Sequence, residues 1–480
     1  MNIIAPSAAL VTAIGSTFLR RIGFVVAIPI PIPIPYPYPQ PTDRTELTTQ
    51  MRRQHMAASD SRDSGSQHSE SSESDPGSPP YGLPSHGPRV SRRKVLVSVG
   101  GSLVVLVVGG TVWRSADQGV FSTGQGPAYQ PWYDWRSAIG RPVDLIRAAI
   151  LAANPHDSQP WLFHDTDTHI DLFADTRRNI GLADPFLSEL HIGLGCALEN
   201  LVLAAPANGY APRVTLFPDA MDATKIATVD LQPSASSASA LYQAIPHRHT
   251  NHYPYDTHHP VGQTTVDALS ALNTDPQVQV LWVAAATAGQ QLGKLMVEAA
   301  HAFVADKPLV QDDDRWYRAT WQDVQRYRDG ITLDAAGLPD LPRALGKILP
   351  PASPAQQHDY FLQGVQTQVQ TAGVLGIIAV RDKRDKRDKR DNGERLREDR
   401  LWQRMHLWAT TNGLAMQPLN QLTEMADREI VLASTSRFGE ALRELVGNPT
   451  WQAIMTFRVG YPTHEALLSP RRALSDVLTP

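Results

Sequence analysis

The chain has 480 residues, 42% hydrophobic and 19% charged, enough for one large core or for two to three ordinary domains. With a formal net charge of -4, nothing suggests a nucleic-acid footprint, which needs a basic face or stripe. Cys196 is the single cysteine, so no intrachain disulfide forms, and its apolar helical surroundings read as a buried structural thiol.

Taken in chain order, residues 1–90 do not read as a folded domain. Ile28 to Pro41 alternates proline with isoleucine or tyrosine, a pattern that favours polyproline II. Residues 57–89 are rich in Ser, Gly, Pro and Asp, which predicts disorder. The same stretch also fits an upstream extension wrongly included in the reading frame, with Val90 as an alternative start. Ser91-Arg92-Arg93-Lys94 then precedes an uncharged run, Val95 to Trp113, dominated by Val, Leu and Gly. Positive charge followed by an apolar run builds a signal peptide or an anchor, here resembling a twin-arginine signal. As a helix the run rises about 28 Å, close to the bilayer core. The expectation is a bacterial protein facing the periplasm from the inner membrane, or free in the periplasm if the segment is cleaved.

The folded body starts near Tyr129. Val143 to Ala153 reads as an amphipathic helix stopped by Asn154-Pro155. Residues 169–174 alternate as a half-buried strand, and Glu189 to Asn208 is a long small-residue helix with Gly209 as its cap. Arg213 to Phe217 makes a short strand. After a Ser/Ala-rich linker at 233–240, a second half begins at Leu241. Val278 to Ala284 is strand-like, while Gln291 to Ala305 and Trp316 to Tyr327 are helical. Thr371 to Val380 ends as a strand, Arg397 to Asn412 is a helix closed by Gly413, and Arg458 to Tyr461 is the last element. Leu201 to Tyr210 (LVLAAPANGY) and Met405 to Leu414 (MHLWATTNGL) echo one another, each an apolar helix ending in Asn-Gly. The charged repeat at 381–391 reads as an exposed expansion whose side chains stay solvated.

Four stretches carry chemistry. Asn154 to Trp161 (NPHDSQPW) is a polar loop stiffened by two prolines beside an aromatic, suited to a planar, heteroatom-rich ring. In His247 to His252 (HRHTNH), an extended backbone puts Arg248, Thr250 and His252 on one side, in line for phosphate oxygens. Gly413 to Gln421 reads as a turn whose backbone amides face a ligand. Arg471-Arg472 is a late cationic pair available as a second phosphate clamp. Histidines 247, 249, 252, 258 and 259 lack the thiols or HExxH spacing of a zinc site, so no metal is expected. No glycine-rich nucleotide loop and no Gly-x-Ser-x-Gly elbow is present.

On these residues the chain resembles the nitroreductase superfamily, in its branch of Acg-like FMN-binding oxidoreductases. The resemblance runs over roughly residues 129–480. Its motifs are ANPHDSQPWLF, ADPFLSELHIGLGCALENLVLAA, HRHTNH, HLWATTNGLAMQPLNQ, FRVGYP and SPRR. It implies an α+β, three-layer fold in which two similar halves, 114–240 and 241–480, form an intrachain pseudo-dimer that needs no homodimer partner. It also implies FMN as cofactor. The ring would be met by Pro155, His156, Asp157, Gln159 and Trp161, and the phosphate by Arg248, Thr250 and His252 with Arg471 or Arg472. Backbone at Pro418, Leu419 and Asn420 would lie near flavin N5.

The first half offers the QPW loop and the second the phosphate segment, so one FMN per chain is expected. NAD(P)H would deliver hydride to N5, and a nitroaromatic or quinone-like acceptor would then take it, with His252, Leu419 and Asn420 closest to the chemistry. The alternative is a flavin-binding or flavin-sequestering protein with little turnover, if the segment at 303–349 acts as a lid. Two departures bear on activity. Asp157 stands where relatives carry Asn, and His252 stands where they carry Arg or Lys. A carboxylate only accepts hydrogen bonds, and His252 supplies a cation only when protonated. Ser188 also replaces a common arginine.

Overall fold

The computed structural model describes residues 111–283, 287–381 and 392–480. The expected upstream region, nearly all of the signal or anchor at 91–113, and the charged repeat beyond Arg381 lie outside the described residues. The chain divides into two compact units, and everything below concerns the one that contains Arg114–Pro480.

The first half comprises α1 (Pro142–Ala149), β1 (Trp161–Asp165), β2 (His169–Ala174), α2 (Ser188–Ala207), β3 (Tyr210–Leu216) and β4 (Lys225–Pro233). Its strands form one antiparallel sheet in the order β1-β2-β4-β3. Helix α2 is apolar on every side, which is how a helix reads when it is packed all round. Every residue from Leu190 to Leu201 is buried, Cys196 and Glu199 included. Among the described residues, α2 alone is long and apolar enough to cross a membrane, yet most of it lies inside this fold. Gly209, at φ 85°, turns the chain from α2 into β3, a backbone angle that suits glycine.

The second half contains β5 (Val278–Val283), α3 (Thr287–Ala305), α4 (Lys307–Asp313), β6 (Tyr317–Arg318), α5 (Trp321–Tyr327) and β7 (Ile331–Thr332). There follow α6 (Pro354–Gln370), β8 (Val374–Arg381), α7 (Asn392–Thr411), β9 (Ala415–Pro418), α8 (Gln421–Val431), α9 (Arg437–Val446) and β10 (Trp451–Gly460). Strands β5-β8-β10-β9 form a second antiparallel sheet in that order.

The two sheets share one topology. In each, an edge strand pairs with a second strand, which feeds a 20-residue helix. That helix turns through Asn-Gly into the opposite edge strand, and the chain returns through the centre. Gly413 repeats the left-handed turn of Gly209, at φ 70°. Helices α2 and α7 pack on each other, α2 against the first sheet and α7 against β8 and β9 of the second. The result is sheet, paired helices, sheet: an α+β, three-layer pseudo-dimer within one chain.

Strand β8 shows how the second sheet is covered twice. Val374, Ile378 and Val380 belong to the central core, while Leu375, Ile377 and Ala379 face a second core with Leu292, Met296 and Leu422. Alternation with apolar residues on both faces marks a strand buried on both sides.

Some elements depart from the sequence reading. The helix expected over Trp316 to Tyr327 is broken, because Tyr317–Arg318 pairs in parallel with Ile331–Thr332. Helix α5 starts only at Trp321, where the Thr320 side chain caps the Asp323 N–H. The turn expected at Gly413 to Gln421 is largely β9, paired with β10. The chain's last residues return to the first half: Phe163 N–H donates to Val477 O at 2.8 Å and Thr479 N–H to Phe163 O at 2.7 Å.

The halves are locked across α2 and α7 by buried polar pairs. Glu199 accepts from Arg400 Nε at 2.8 Å and from Arg404 Nε at 2.9 Å. Asn200 Oδ1 accepts from Gln403 Nε2 at 2.8 Å, and Asn200 Nδ2 donates to Ala148 O at 2.9 Å. Replacing Glu199 with Ala should destabilise the fold by about 1–3 kcal/mol, since two charge-assisted hydrogen bonds vanish while both arginines can partly rehydrate. Denaturant unfolding of the full chain measures this, and an unchanged midpoint would contradict it.

Candidate functional site

The loop from Asn154 to Pro160 is held in a costly backbone conformation. His156, Asp157 and Gln159 have φ of 53°, 49° and 52°, angles that side-chain-bearing residues seldom adopt. Its neighbours fix it. Gln159 N–H donates to Asn154 Oδ1 at 2.7 Å, Gln159 Nε2 donates to Arg328 O at 2.8 Å, and Gln159 Oε1 accepts from Arg472 N–H at 2.7 Å. Arg178 Nε donates to Ser158 O. Helix α2 approaches closely at Gly193, where a Cβ would lie 3.1–3.3 Å from Asn154, Pro160 and Pro155.

Beside this loop two guanidinium groups are buried. Arg471, 1% exposed, donates through Nη1 to Asp157 Oδ1 at 2.6 Å and to Ser469 Oγ at 2.8 Å, and through Nη2 to Ala152 O at 3.1 Å. Its guanidinium carbon stands 4.8 Å from the centre of the Trp132 ring. Arg248, 2% exposed, donates once, through Nη2 to Leu151 O at 3.1 Å. Arg248 Nε and Nη1 and Arg471 Nε are buried without a partner. His249 meets Trp132 edge-on with ring centres 4.6 Å apart, and the buried His406 Nδ1 has no hydrogen bond.

Electrostatics report the same imbalance. Burial and the neighbouring Arg471 lower Arg248 to about 10. Burial and Arg248 lower His249 to about 3, and the same two causes push His406 well below its ordinary value. Asp157 is the carboxylate that faces these bases. Buried donors with no acceptor cost about 1–3 kcal/mol each. Two guanidiniums sharing one carboxylate thus form a cradle that an anion with several oxygens would complete.

The other expected residues fall in several places. Pro155, His156, Asp157, Gln159, Trp161, Arg248, Arg471 and Arg472 come together around the loop. Thr250 is half-buried two residues after Arg248. His252 faces elsewhere: its Nδ1 lies 3.0 Å from Gln417 Nε2, and burial with Arg458 lowers it to about 4. That lowering disfavours the protonated form on which a charge at His252 depends. Arg458 itself is fully engaged, with Gln417, Gln368, Asn251 and Tyr253. Pro418 ends β9. Leu419 N–H is committed to Thr456 O at 2.8 Å, and Asn420 donates through Nδ2 to Glu189 Oε1 at 2.5 Å while accepting from Thr456 N–H at 3.1 Å.

The segment expected as a lid sits on the loop. Gly330 N–H donates to Asp157 O at 3.1 Å. His156 Nε2 lies 2.5 Å from Asp313 Oδ1, and Asp329 is paired with both Arg178 and Arg318. The sequence reading passed over Trp132, His249, His406, Ser469 and Arg178 as site residues. Only His249, next to Arg248, and Ser469, next to Pro470-Arg471, carried a signal in the sequence.

No protein-family model matches the chain. Over 113 residues, 23% of this chain, it is 32% identical to the Mycobacterium tuberculosis protein named "Putative NAD(P)H nitroreductase Rv3131", and the match spans 33% of that relative. It is 30% identical over 96 residues, 19% of this chain and 29% of the relative, to "Putative NAD(P)H nitroreductase acg" of the same organism. The chain therefore spans about a third of the length of the curated relatives it matches. Among solved structures it is similar to the FMN-dependent nitroreductase NfnB from Mycobacterium smegmatis in complex with NADPH. That match has 19% identity and a TM-score of 0.32, and covers 49% of this chain and 96% of the other. The FMN and NADPH-dependent NfnB of a Sphigopyxis strain gives 15% identity and the same TM-score of 0.32, covering 50% and 98%.

Two outcomes follow from the cradle. Inorganic phosphate should raise the melting temperature of the full chain to a plateau, and Arg248→Ala should abolish that rise. A rise that persists in the variant would place the anion elsewhere. The second concerns pH. His249 is harder to protonate folded than unfolded, so below its ordinary value of 6.5 the unfolded chain binds more protons. Stability on its account is lost as pH falls through that value. The melting temperature of His249→Asn should therefore fall less than that of the parent between about pH 7 and pH 5. Equal slopes would refute the assignment.

Proposed function

We propose that the chain is a flavin-dependent oxidoreductase of the nitroreductase kind, binding one FMN at the joint between its halves. It would take hydride from NAD(P)H and pass it to a small nitroaromatic or quinone-like acceptor. The observation that carries this reading is the pair of buried, unpartnered N–H groups of Arg248 beside Arg471. A phosphate monoester offers the negative oxygens they lack.

The fit extends to the ring. Ser158 Oγ and Trp161 Nε1 are buried without hydrogen-bond partners at the stiffened loop, and a flavin's ring oxygens and nitrogens are suitable partners for them. When bound, FMN would supply the two-electron redox chemistry, and the protein would supply position and charge. In this scheme Arg248 and Arg471 hold the phosphate, Asp157 and Ser469 keep the Arg471 fork oriented, and Gln159 ties the loop to Arg328 and Arg472. Leu419 and Asn420, fixed by Thr456, would form the rigid wall at the end of β9. With His252 neutral, positive charge comes from the two arginines, which lowers the expected stabilisation of a reduced, anionic ring.

A second reading has its own support. The clasp of residues 328–330 on Asp157 and Gln159 covers the loop, as a protein that holds flavin without rapid turnover would require. Quinone-stimulated NADPH oxidation by the full chain separates the two, with bound FMN and no reduction by NADH or NADPH favouring sequestration. Membrane placement rests on the Arg92-Arg93 segment alone, and N-terminal peptide mapping of the mature protein tests it.

Denaturing the purified full chain should release about one FMN per chain, and Arg248→Ala should weaken FMN binding about 10-fold or more, the worth of a charge-assisted hydrogen bond or two. Unchanged affinity would remove the phosphate assignment.

A further inference from the structure

A second cavity, of about 280 Å³, opens between the start of α2, one side of α8 and the start of β10. Four carboxyl groups line it: Asp184, Glu189, Glu424 and Asp427. Ala183, Ala426, Ile430, Leu442 and Ile454 give it an apolar wall.

Most nearby charges are already paired. Asp184 caps α2, accepting from Glu189 N–H at 3.1 Å and Leu190 N–H at 2.9 Å. Glu189 Oε1 accepts from Asn420 Nδ2. Of the bases in reach, Arg428 is committed to Asp306 and His156 to Asp313, while Arg443 lines the mouth of the cavity, its exposed side chain 3.8 Å from Glu440. Glu429 caps α9 through the Phe438 and Gly439 N–H groups. Glu424 differs from these. It is 5% exposed, its Oε2 is buried, and no hydrogen bond reaches that oxygen.

A buried carboxylate oxygen without donor or cation is unfavourable, and three more carboxyl groups around the same space compound the cost. Burial and the neighbouring Glu189 push the Glu424 carboxyl well up, and burial raises Asp184 to about 6. A cation in the cavity would relieve both effects. Among the described residues no group of three or more His, Cys, Asp or Glu is arranged to hold a metal ion. The space also far exceeds one ion, and its apolar wall suits an alkyl chain.

We propose that this cavity binds a small aliphatic amine, its ammonium group donating to Glu424 with Glu189, Asp184 and Asp427 around it and its alkyl chain against Ala426 and Ile430. The site stands apart from the phosphate cradle, so the proposal holds whether or not the chain binds flavin. Adjacent Asn420, which touches Glu189, is the contact between the two regions.

The test is calorimetric titration of the full chain with 1,4-diaminobutane, with 1,4-butanediol as the uncharged control. Saturable binding of one diamine per chain is expected, with no binding of the diol. The charged groups around Glu424 are Glu189, Asp313, Asp184 and Asp427, with Arg443 at the cavity mouth. Burial raises Glu189 to about 7 and Asp184 to about 6 and pushes Glu424 well up, and these must lose protons to attract the ligand while the diamine stays charged, so binding should tighten from pH 6 to pH 8. Glu424→Gln keeps the shape and should weaken binding at least 10-fold with an unchanged circular-dichroism spectrum. Should that variant misfold, Asp427→Asn takes its place with the same expectation. Absence of saturable binding at millimolar diamine, equal binding of the diol, or undiminished affinity in the folded variant would overturn the proposal. So would displacement of the diamine by millimolar magnesium or calcium, which would make the site a metal site.

Discussion

Two guanidinium groups and one carboxylate buried at the same spot govern the arrangement of this protein. Arg248 comes from the second half, Asp157 from the first, and Arg471 from a tail that crosses back to β1. Desolvating such charges costs several kcal/mol per ion, and only good partners repay it. Arg471 is repaid by Asp157, Ser469 and the Ala152 carbonyl; Arg248 has one carbonyl. Burial first, and then the charge of Arg248, lowers the pKa of the histidines beside it. An anion from outside the chain is the simplest completion of the set.

The loop carrying Asp157 also faces the opposite charge. His156 and Asp157 are adjacent, yet one pairs with Asp313 and the other with Arg471. Burial alone would lower His156, but Asp313 outweighs it and the net shift is upward. Left-handed backbone at both residues accompanies this division. Strain of this order, about 1–3 kcal/mol per residue, persists only where surrounding contacts over-determine it. Arg178, Gln159 and the Gly330 amide provide those contacts, so hydrogen bonds join residues 328–330, the strained loop and the cradle.

Much of the frame was legible in the sequence. The apolar run of α2, the alternation at 169–174 and the two Asn-Gly helix ends each have a local cause, and the echo between them marked the shared topology. The loop, Arg248 and Arg471 could be singled out as polar or cationic groups beside rigid or apolar neighbours. What could not be read was partnership across distance. His252 is next to Asn251, whose carbonyl accepts from Arg458, yet nothing local says that the histidine will be buried with Arg458 and Gln417 beside it. Strand β9 was hidden for a similar reason. Four residues ending in proline look like a turn until β10 supplies their hydrogen bonds.

The pseudo-symmetry of the sheets and helices does not extend to the side chains that decorate them. In two identical subunits, each half would present the same groups at both equivalent sites. Here the halves keep matching sheets and helices but differ in what decorates them. The first half contributes Asp157 to the basic cradle and Asp184 and Glu189 to the acidic cavity; the second contributes Arg248 to one and Glu424 and Asp427 to the other. The basic cradle and the acidic cavity thus each draw side chains from both halves. Glu199 with Arg400 and Arg404, and Asn200 with Gln403, tie α2 of the first half to α7 of the second. A rearrangement that slid α2 against α7 would therefore have to break these buried pairs.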